Sequence, residues 1–293
     1  MASHTTSAAF TLFSESADSS SGLAFSSPPP PPPVEVFRSE VSDSVKYTVE
    51  SVNVGELTLL KGRVSTQEVL SLSNLDLVPG KYEGGLKLWE GSIDLVKALQ
   101  SEIQSKSLRF SGKRVLELGC GHGLPAIFAC LQGATAVHFQ DFNAEVLRCL
   151  TIPNVNANLK SSKHSGSEVT DKDIRFFAGD WSNMVQLLPF VQDTESDQSS
   201  ETSRGYDIIL MAETVYSISS IPSLYKLIKK CLCCPTGVVY MAAKKHYFGV
   251  GGGSRRFLSV MDKDGVMTGH MISEVTDGSS NVREVWKLTF KQK

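Results

Sequence analysis

Apolar residues in this chain recur in short runs, each followed by a turn and then by a stretch with apolar positions at helical spacing. From Arg114 onward the runs predicted as strands are Arg114–Leu118, Thr135–Gln140, Ile174–Ala178, Tyr206–Met211 and Val238–Lys244, with helices between successive members. Such alternation implies an α/β fold around a mostly parallel sheet. Two later runs, His270–Val275 and Val285–Phe290, flank the turn-rich Asp277-Gly278-Ser279 and predict an antiparallel hairpin that completes seven strands. Upstream, Tyr47–Leu60 alternates β-branched residues and Leu86–Ile103 carries a helical period, so this part is expected to cap the site.

Composition changes the picture at the N-terminus. The segment from Met1 to Pro33 is built from Ser, Thr, Ala and Pro and ends in the unbroken prolines 28–33, which favour an extended polyproline helix. Residues 1–40 are therefore read as a disordered tail. A targeting peptide is the rival reading, but Glu15 and Asp18 are present and no Lys or Arg precedes Arg38. Residues 161–173 and 192–205 are polar and aperiodic and read as long surface loops. What remains, 41–293, suits one α/β domain around a single core. With 29 basic against 31 acidic residues the net charge is −2, which leaves no global basic field for nucleic-acid binding. Six cysteines, with no signal peptide ahead of them, point to a reducing compartment. No run of about eighteen apolar residues occurs, so no membrane partner is expected.

The strongest chemical signal is Val115-Leu116-Glu117-Leu118-Gly119-Cys120-Gly121-His122-Gly123, a buried strand entering a glycine-rich turn before the helix Leu124–Leu131. In open α/β sheets ligands bind beyond the carboxyl ends of the strands, and glycines there let the backbone approach a cofactor. The dinucleotide fingerprint places its third Gly three positions after the second; Leu124 stands there, so the spacing leans away from a nicotinamide-dependent oxidoreductase. The next strand ends at Asp141, about 20 residues on, where a carboxylate can accept from two ribose hydroxyls; an N-cap role for Asp141 or Asn143, ahead of the helix Ala144–Leu150, is the alternative. Gly179-Asp180-Trp181 offers a carboxylate and a flat ring at the third strand's end, as an adenine contact or as an N-cap beside a core Trp.

Ala212-Glu213-Thr214-Val215-Tyr216 follows the fourth strand, where a transferase should hold its acceptor, and Glu213 is either an orienting carboxylate or a structural one. Lys244–Gly253 leads from the fifth strand into a loop of many glycines that lacks the Lys-Ser/Thr pair of a phosphate-binding loop and fits substrate contact better. Trp89 and Glu90 open the upstream helix, where Glu90 meets the amino end of a ligand or is an ordinary surface residue. Cys231, Cys233 and Cys234 have no second ligand pair at usable spacing, so no metal site is expected. No Gly-x-Ser-x-Gly element is present, which argues against a hydrolase.

Taken together, Glu117–Gly123, Gln140–Asn143, Thr151–Val155, Gly179–Trp181, Ala212–Tyr216 and Lys245–Gly253 resemble the eukaryotic protein-histidine N-methyltransferases, over a core of about 81–293. The resemblance implies the seven-strand Rossmann-like methyltransferase fold, S-adenosyl-L-methionine as cofactor, and methyl transfer to an imidazole nitrogen of a protein. It further implies a large-subunit ribosomal protein as substrate and action in cytoplasm and nucleus; the sequence leaves the oligomeric state open, with a monomer favoured. Carried over by position, Glu117, Gly119 and Gly121 would hold the methionine part, with Trp89 and Glu90 at its amino end. Asp141 would serve the ribose and Trp181 the adenine, with Asn143, Asp180 and Ala212 also binding the cofactor. Glu213, Tyr216, His246 and the loop beyond it would face the acceptor. Lysine methylation and a non-catalytic, cofactor-binding assembly factor are the competing functions.

Overall fold

The computed structural model describes residues 30, 32–42, 44–71, 77–162, 174–191, 205–276 and 281–292. Its centre is an eight-stranded sheet. Strands β4 (Arg114–Leu118), β5 (Ala136–Asp141), β6 (Ile174–Ala178), β7 (Ile208–Ala212) and β8 (Val238–Lys244) run parallel in the spatial order β6-β5-β4-β7-β8. Beyond β8 lie β10 (Val282–Phe290) and the edge strand β9 (Met267–Thr276), both antiparallel to their neighbours. The hairpin is present as expected, while its turn falls outside the described residues. Strand order reverses beside β4, and that switch point is where a crevice opens beyond the strand ends.

Period-two alternation divides the core into two layers. Val115, Ile208, Leu210 and Tyr240 meet helices α2 (Glu90–Gln104) and α3 (Leu124–Leu131), which follow the short α1 (Thr66–Leu70) in the chain. Leu116, Leu118, Ile209 and Met241 meet α6 (Ile221–Cys231) and α7 (Ser254–Asp264) on the opposite face. Tyr206, expected in the fourth strand, lies outside it because its backbone is bonded to Cys231 and Cys233 after α6, at 2.7 and 2.8 Å.

Two departures from the predicted elements shape the site. Residues 144–162 hold α4 (Ala144–Val146), a π-helical turn (Leu147–Thr151) and α5 (Ile152–Ser162). Pro153 has no N–H to give to the carbonyl of Cys149, so the α-helical ladder is interrupted there and the chain widens by one residue. The second departure is at the N-terminus. Val34–Val36, assigned at sequence level to the tail, form β1, antiparallel to β6. Val36 is 1% exposed, which stabilises by about 1.5–3 kcal/mol. The Glu35–Arg175 pair at 2.7 Å is partly solvated and contributes about 1 kcal/mol or less, so burial dominates the docking.

Strands β2 (Thr48–Val54) and β3 (Leu57–Arg63) form a separate hairpin, joined to α5 by two asparagines. Asn158 exchanges hydrogen bonds with the backbone of Leu60 at 2.8 and 2.6 Å. Asn154 accepts from the Gly62 amide and the Tyr47 hydroxyl and donates to the His122 carbonyl at 2.9 Å, tying the hairpin to the glycine turn. Asn154→Ala leaves two buried partners and the half-buried Tyr47 hydroxyl unsatisfied. It should destabilise the protein by about 2–3 kcal/mol, read as a lower midpoint in urea with an unchanged m-value.

Candidate functional site

The turn after β4 is fixed by its neighbours. Gln140 accepts the Gly119 amide at 3.3 Å through its side chain and the Cys120 amide at 2.8 Å through its carbonyl. Asp141 Oδ2 accepts the Gly121 amide at 2.9 Å, and Thr151, placed by the π-turn, donates to the Gly121 carbonyl at 2.6 Å. Gly119 and Gly121 both have positive φ, at +61° and +48°. A Cβ on Gly121 would stand 2.9 Å from the Gly85 carbonyl oxygen, and one on Gly119 would stand 2.7 Å from Thr214 Cγ2. Glycine is therefore required by conformation and by space.

Beside this turn lies a cavity of about 390 Å³. It is walled by the strand ends on one side and by the cap segment from Leu77 to Trp89 on the other, as the upstream elements suggested. Of the residues selected from sequence, Trp89, Gly119, Gly121, Asp141, Asp180, Trp181, Ala212, Glu213 and Tyr216 all line it. Trp181 donates through its indole N–H to Gln140 at 2.8 Å, which sets the ring at the β6 end. Asp180 also closes its own turn by accepting from the Ser182 amide at 2.9 Å.

Four selected residues do not line the cavity. Glu117 is buried on the helix side of β4, and its carboxylate accepts the Ala126 amide at 2.9 Å, capping the first turn of α3. Asn143 spends its side chain on the cap, donating to the Lys81 carbonyl at 2.9 Å and accepting the Glu83 amide at 3.3 Å. Glu90 is exposed in the first turn of α2, where a carboxylate suits the helix dipole. His246 is exposed outside the cavity, because the chain turns there so that Tyr247 points inward instead.

Burial governs the electrostatics. Desolvation raises the Asp141 carboxyl to about 6, although the amides of Asn143, Gly121 and Phe142 oppose the rise. It also raises Glu213, 7% exposed, which the Tyr247 phenol opposes by donating to Oε2. Glu213 has φ +58°, an uncommon left-handed conformation for a non-glycine residue, held by its amide donating to Ala242 at 2.8 Å. Its Oε1 has no hydrogen-bond partner among the described residues. Across the mouth, the Tyr216 hydroxyl donates to Glu83 of the cap. Lys244 places its Nζ 5.9 Å from the Trp89 ring centre and 6.0 Å from that of Tyr247.

Glu83 and Gln140 are not among the site residues expected from sequence, and Tyr247 is covered only as part of the loop after His246. Gln140 carried a usable signal, a polar residue ending an apolar strand, whereas Glu83 meets Tyr216 only through the fold. Among the described residues, no three His, Cys, Asp or Glu side chains come together as a metal site.

The sequence profile of a family described as lysine methyltransferase matches residues 79–264. A histidine protein methyltransferase 1 homolog from Dictyostelium discoideum is 41% identical over 75% of this chain and 62% of its own length. One from Bos taurus is 32% identical over 82% and 65%. The chain thus spans less than two thirds of the curated relatives it matches. A solved structure from Streptococcus mutans, assigned to the SAM-dependent methyltransferases, shares the fold at a TM-score of 0.51 and 13% identity, covering 82% of this chain and 55% of that one.

His122 supplies a pH test. It lines the cavity, its Nδ1 has no partner among the described residues, and burial lowers its pKa from 6.5 to about 4. A depressed folded pKa contributes stability that is present above pH 6.5 and lost as the pH falls toward 4. Asp141, raised from 3.8 to about 6, acts with the opposite sign over much of that range, so the difference between two proteins is the proper readout. Urea unfolding from pH 7 to pH 4 should show wild type losing more stability than His122→Asn. Parallel profiles would remove His122 from the acid response.

Proposed function

Because this chain belongs to the lysine methyltransferase family, we propose that the cavity binds S-adenosyl-L-methionine and that the chain transfers its methyl group to a histidine of another protein. The residues present fit that cofactor. Gly119 and Gly121 provide a cradle that a Cβ would fill, Asp141 a buried carboxylate, and Trp181 a flat ring held by Gln140. Asp141 would accept from ribose hydroxyls, the Trp181 ring would face the adenine, and Trp89 and the glycine turn would border the amino-acid portion. When bound, the cofactor supplies an electrophilic methyl on a sulfonium. The chain's own task is alignment and exclusion of water, since in-line displacement depends on holding nucleophile and methyl carbon at near-attack distance.

The observation that carries the choice of acceptor is the Glu213 carboxylate, buried at the cavity wall with Oε1 unpartnered. A buried acceptor without a donor costs about 1–3 kcal/mol, and the N–H of an imidazole would relieve it. Accepting from the ring nitrogen that does not react fixes the tautomer, so that the other nitrogen presents its lone pair. A neutral imidazole also suits the nearby Lys244 ammonium, which would repel the cation of a lysine acceptor. The names of the curated relatives support the same choice. Lysine methylation is the second reading, favoured by the family's description and by a carboxylate that could hold an ammonium. As the acceptor we propose a large-subunit ribosomal protein, met in cytoplasm or nucleus, on the strength of the family resemblance alone.

Purified protein, isotopically labelled cofactor and an extract lacking the endogenous activity test this by residue-level mass spectrometry. Label on one histidine is expected; label on lysine would select the second reading. Asp141→Ala should weaken cofactor binding by about tenfold to a hundredfold in calorimetry, as expected for lost charge-assisted hydrogen bonds. Glu213→Gln should leave that affinity unchanged and lower transfer.

A further inference from the structure

Resting on the reading that Glu213 receives the N–H of an acceptor imidazole, we propose that Tyr247 is its positioning residue: its phenol holds one carboxylate oxygen and so sets the orientation in which the carboxylate meets the acceptor. Tyr247 follows β8 and is fixed at both backbone and ring. Its amide donates to the Gly252 carbonyl at 3.1 Å, and its carbonyl accepts from the Gly251 amide at 2.9 Å. The phenol oxygen accepts from the Lys244 amide at 3.3 Å and donates to Glu213 Oε2. The ring stands edge-on to Tyr216, with centres 6.4 Å apart at 69°. Tyr216 cannot take over the task, because its own hydroxyl donates to Glu83.

The groups facing Glu213 come from four elements: Tyr247 in the loop, Lys244 at the end of β8, Glu90 on α2, and Arg283 on β10. Arg283 is engaged by Asp94 at 2.6 Å, and Lys244 acts through its charge. Among the described residues Tyr247 is the one side chain that donates a hydrogen bond to this carboxylate. A phenol is suited to the role because burial keeps it protonated, so it orients the carboxylate without adding charge. On the far side, a Cβ on Gly91 would lie 2.6 Å from Glu213 Oε1, so α2 can pack against the carboxylate there only through glycine. Burial pushes Glu213 toward its neutral form and the Tyr247 hydrogen bond opposes that push. Without the hydroxyl, the carboxyl takes up a proton at higher pH and stops accepting from the imidazole.

The test is a double-mutant cycle on the full chain: wild type, Tyr247→Phe, Glu213→Gln and the double variant. The acceptor is the protein recovered by its label from the extract described above, and transfer is measured against pH. Tyr247→Phe should bind cofactor as wild type does. It should lower kcat at least about tenfold at neutral pH and move the acidic limb of kcat upward by about one unit. In the Glu213→Gln background the same substitution should cost less than about twofold. Equal losses in both backgrounds, or an acidic limb that does not move, would assign Tyr247 a purely structural role and overturn the proposal. Wild-type label on lysine would instead sink the histidine reading, so the two failures are told apart.

Discussion

The turn from Gly119 to Gly123 has to pass between two walls that leave no room for a side chain, and the rest of the site is arranged around that fact. On one side stands the Gly85 carbonyl of the cap, on the other the Thr214 methyl after β7. Such proximity is possible because the turn's polar groups are taken up by side chains from neighbouring strands and helices: Gln140, Asp141, Thr151 and Asn154. A turn satisfied in this way needs no water between it and its walls, and the cavity beside it is bounded by backbone whose position is set by several hydrogen bonds. The cap is held by the same apparatus. Asn143 receives and supplies bonds to residues 81–83, so the carboxyl end of β5 fixes both the floor and the lid of the cavity.

Glu213 shows what this arrangement costs. A non-glycine residue in the left-handed region, carrying a carboxylate that is 7% exposed with one oxygen unpartnered, is unfavourable by each of these features taken alone. It persists because the surroundings determine it: the Ala242 carbonyl fixes the backbone and Tyr247 holds the side chain. Even Gly91, a poor residue for a helix, is placed where any Cβ would strike the carboxylate. Local stability has been given up at several adjacent positions in favour of one oriented acceptor group, the usual mark of a functional site rather than of packing.

Much of the frame could be read from periodicity, since each buried strand is a contiguous apolar run followed by turn chemistry. The same property hid the orientation of Glu117. When both faces of a strand are covered by helices, as for Val115–Leu118, apolar residues occupy both parities and nothing local tells which face a polar residue takes. The cap contacts of Asn143 are hidden for a different reason: an amide that bridges to backbone 60 and 62 residues away leaves no trace in its neighbours' identities. His246 and Tyr247 differ by one position in a loop, where no period assigns direction, and the choice between them was decided by the bridge of Ser217 to Gly251 and the bonds from Tyr247 to Gly252. The β1 strand was concealed by the prolines before it, whose composition outweighed a three-residue apolar segment.

The two halves of the cavity are built from different materials, and this bears on how such a fold acquires a particular acceptor. The half assigned to the cofactor consists chiefly of backbone and side chains at the ends of β4, β5 and β6, within one stretch of chain positioned by the sheet, with Trp89 added from the cap. The half assigned to the acceptor is made by long side chains that meet across the fold: Glu83 with Tyr216, 133 residues apart, and Glu213 with Tyr247. Changing the first half disturbs the sheet's own hydrogen bonds, whereas changing the second alters loops and a cap that the core does not require. On the proposed reading, acceptor choice is therefore free to vary on a constant platform, which is why sheet and glycine turn speak only to the fold and its ligand crevice while the residues around Glu213 bear on the acceptor.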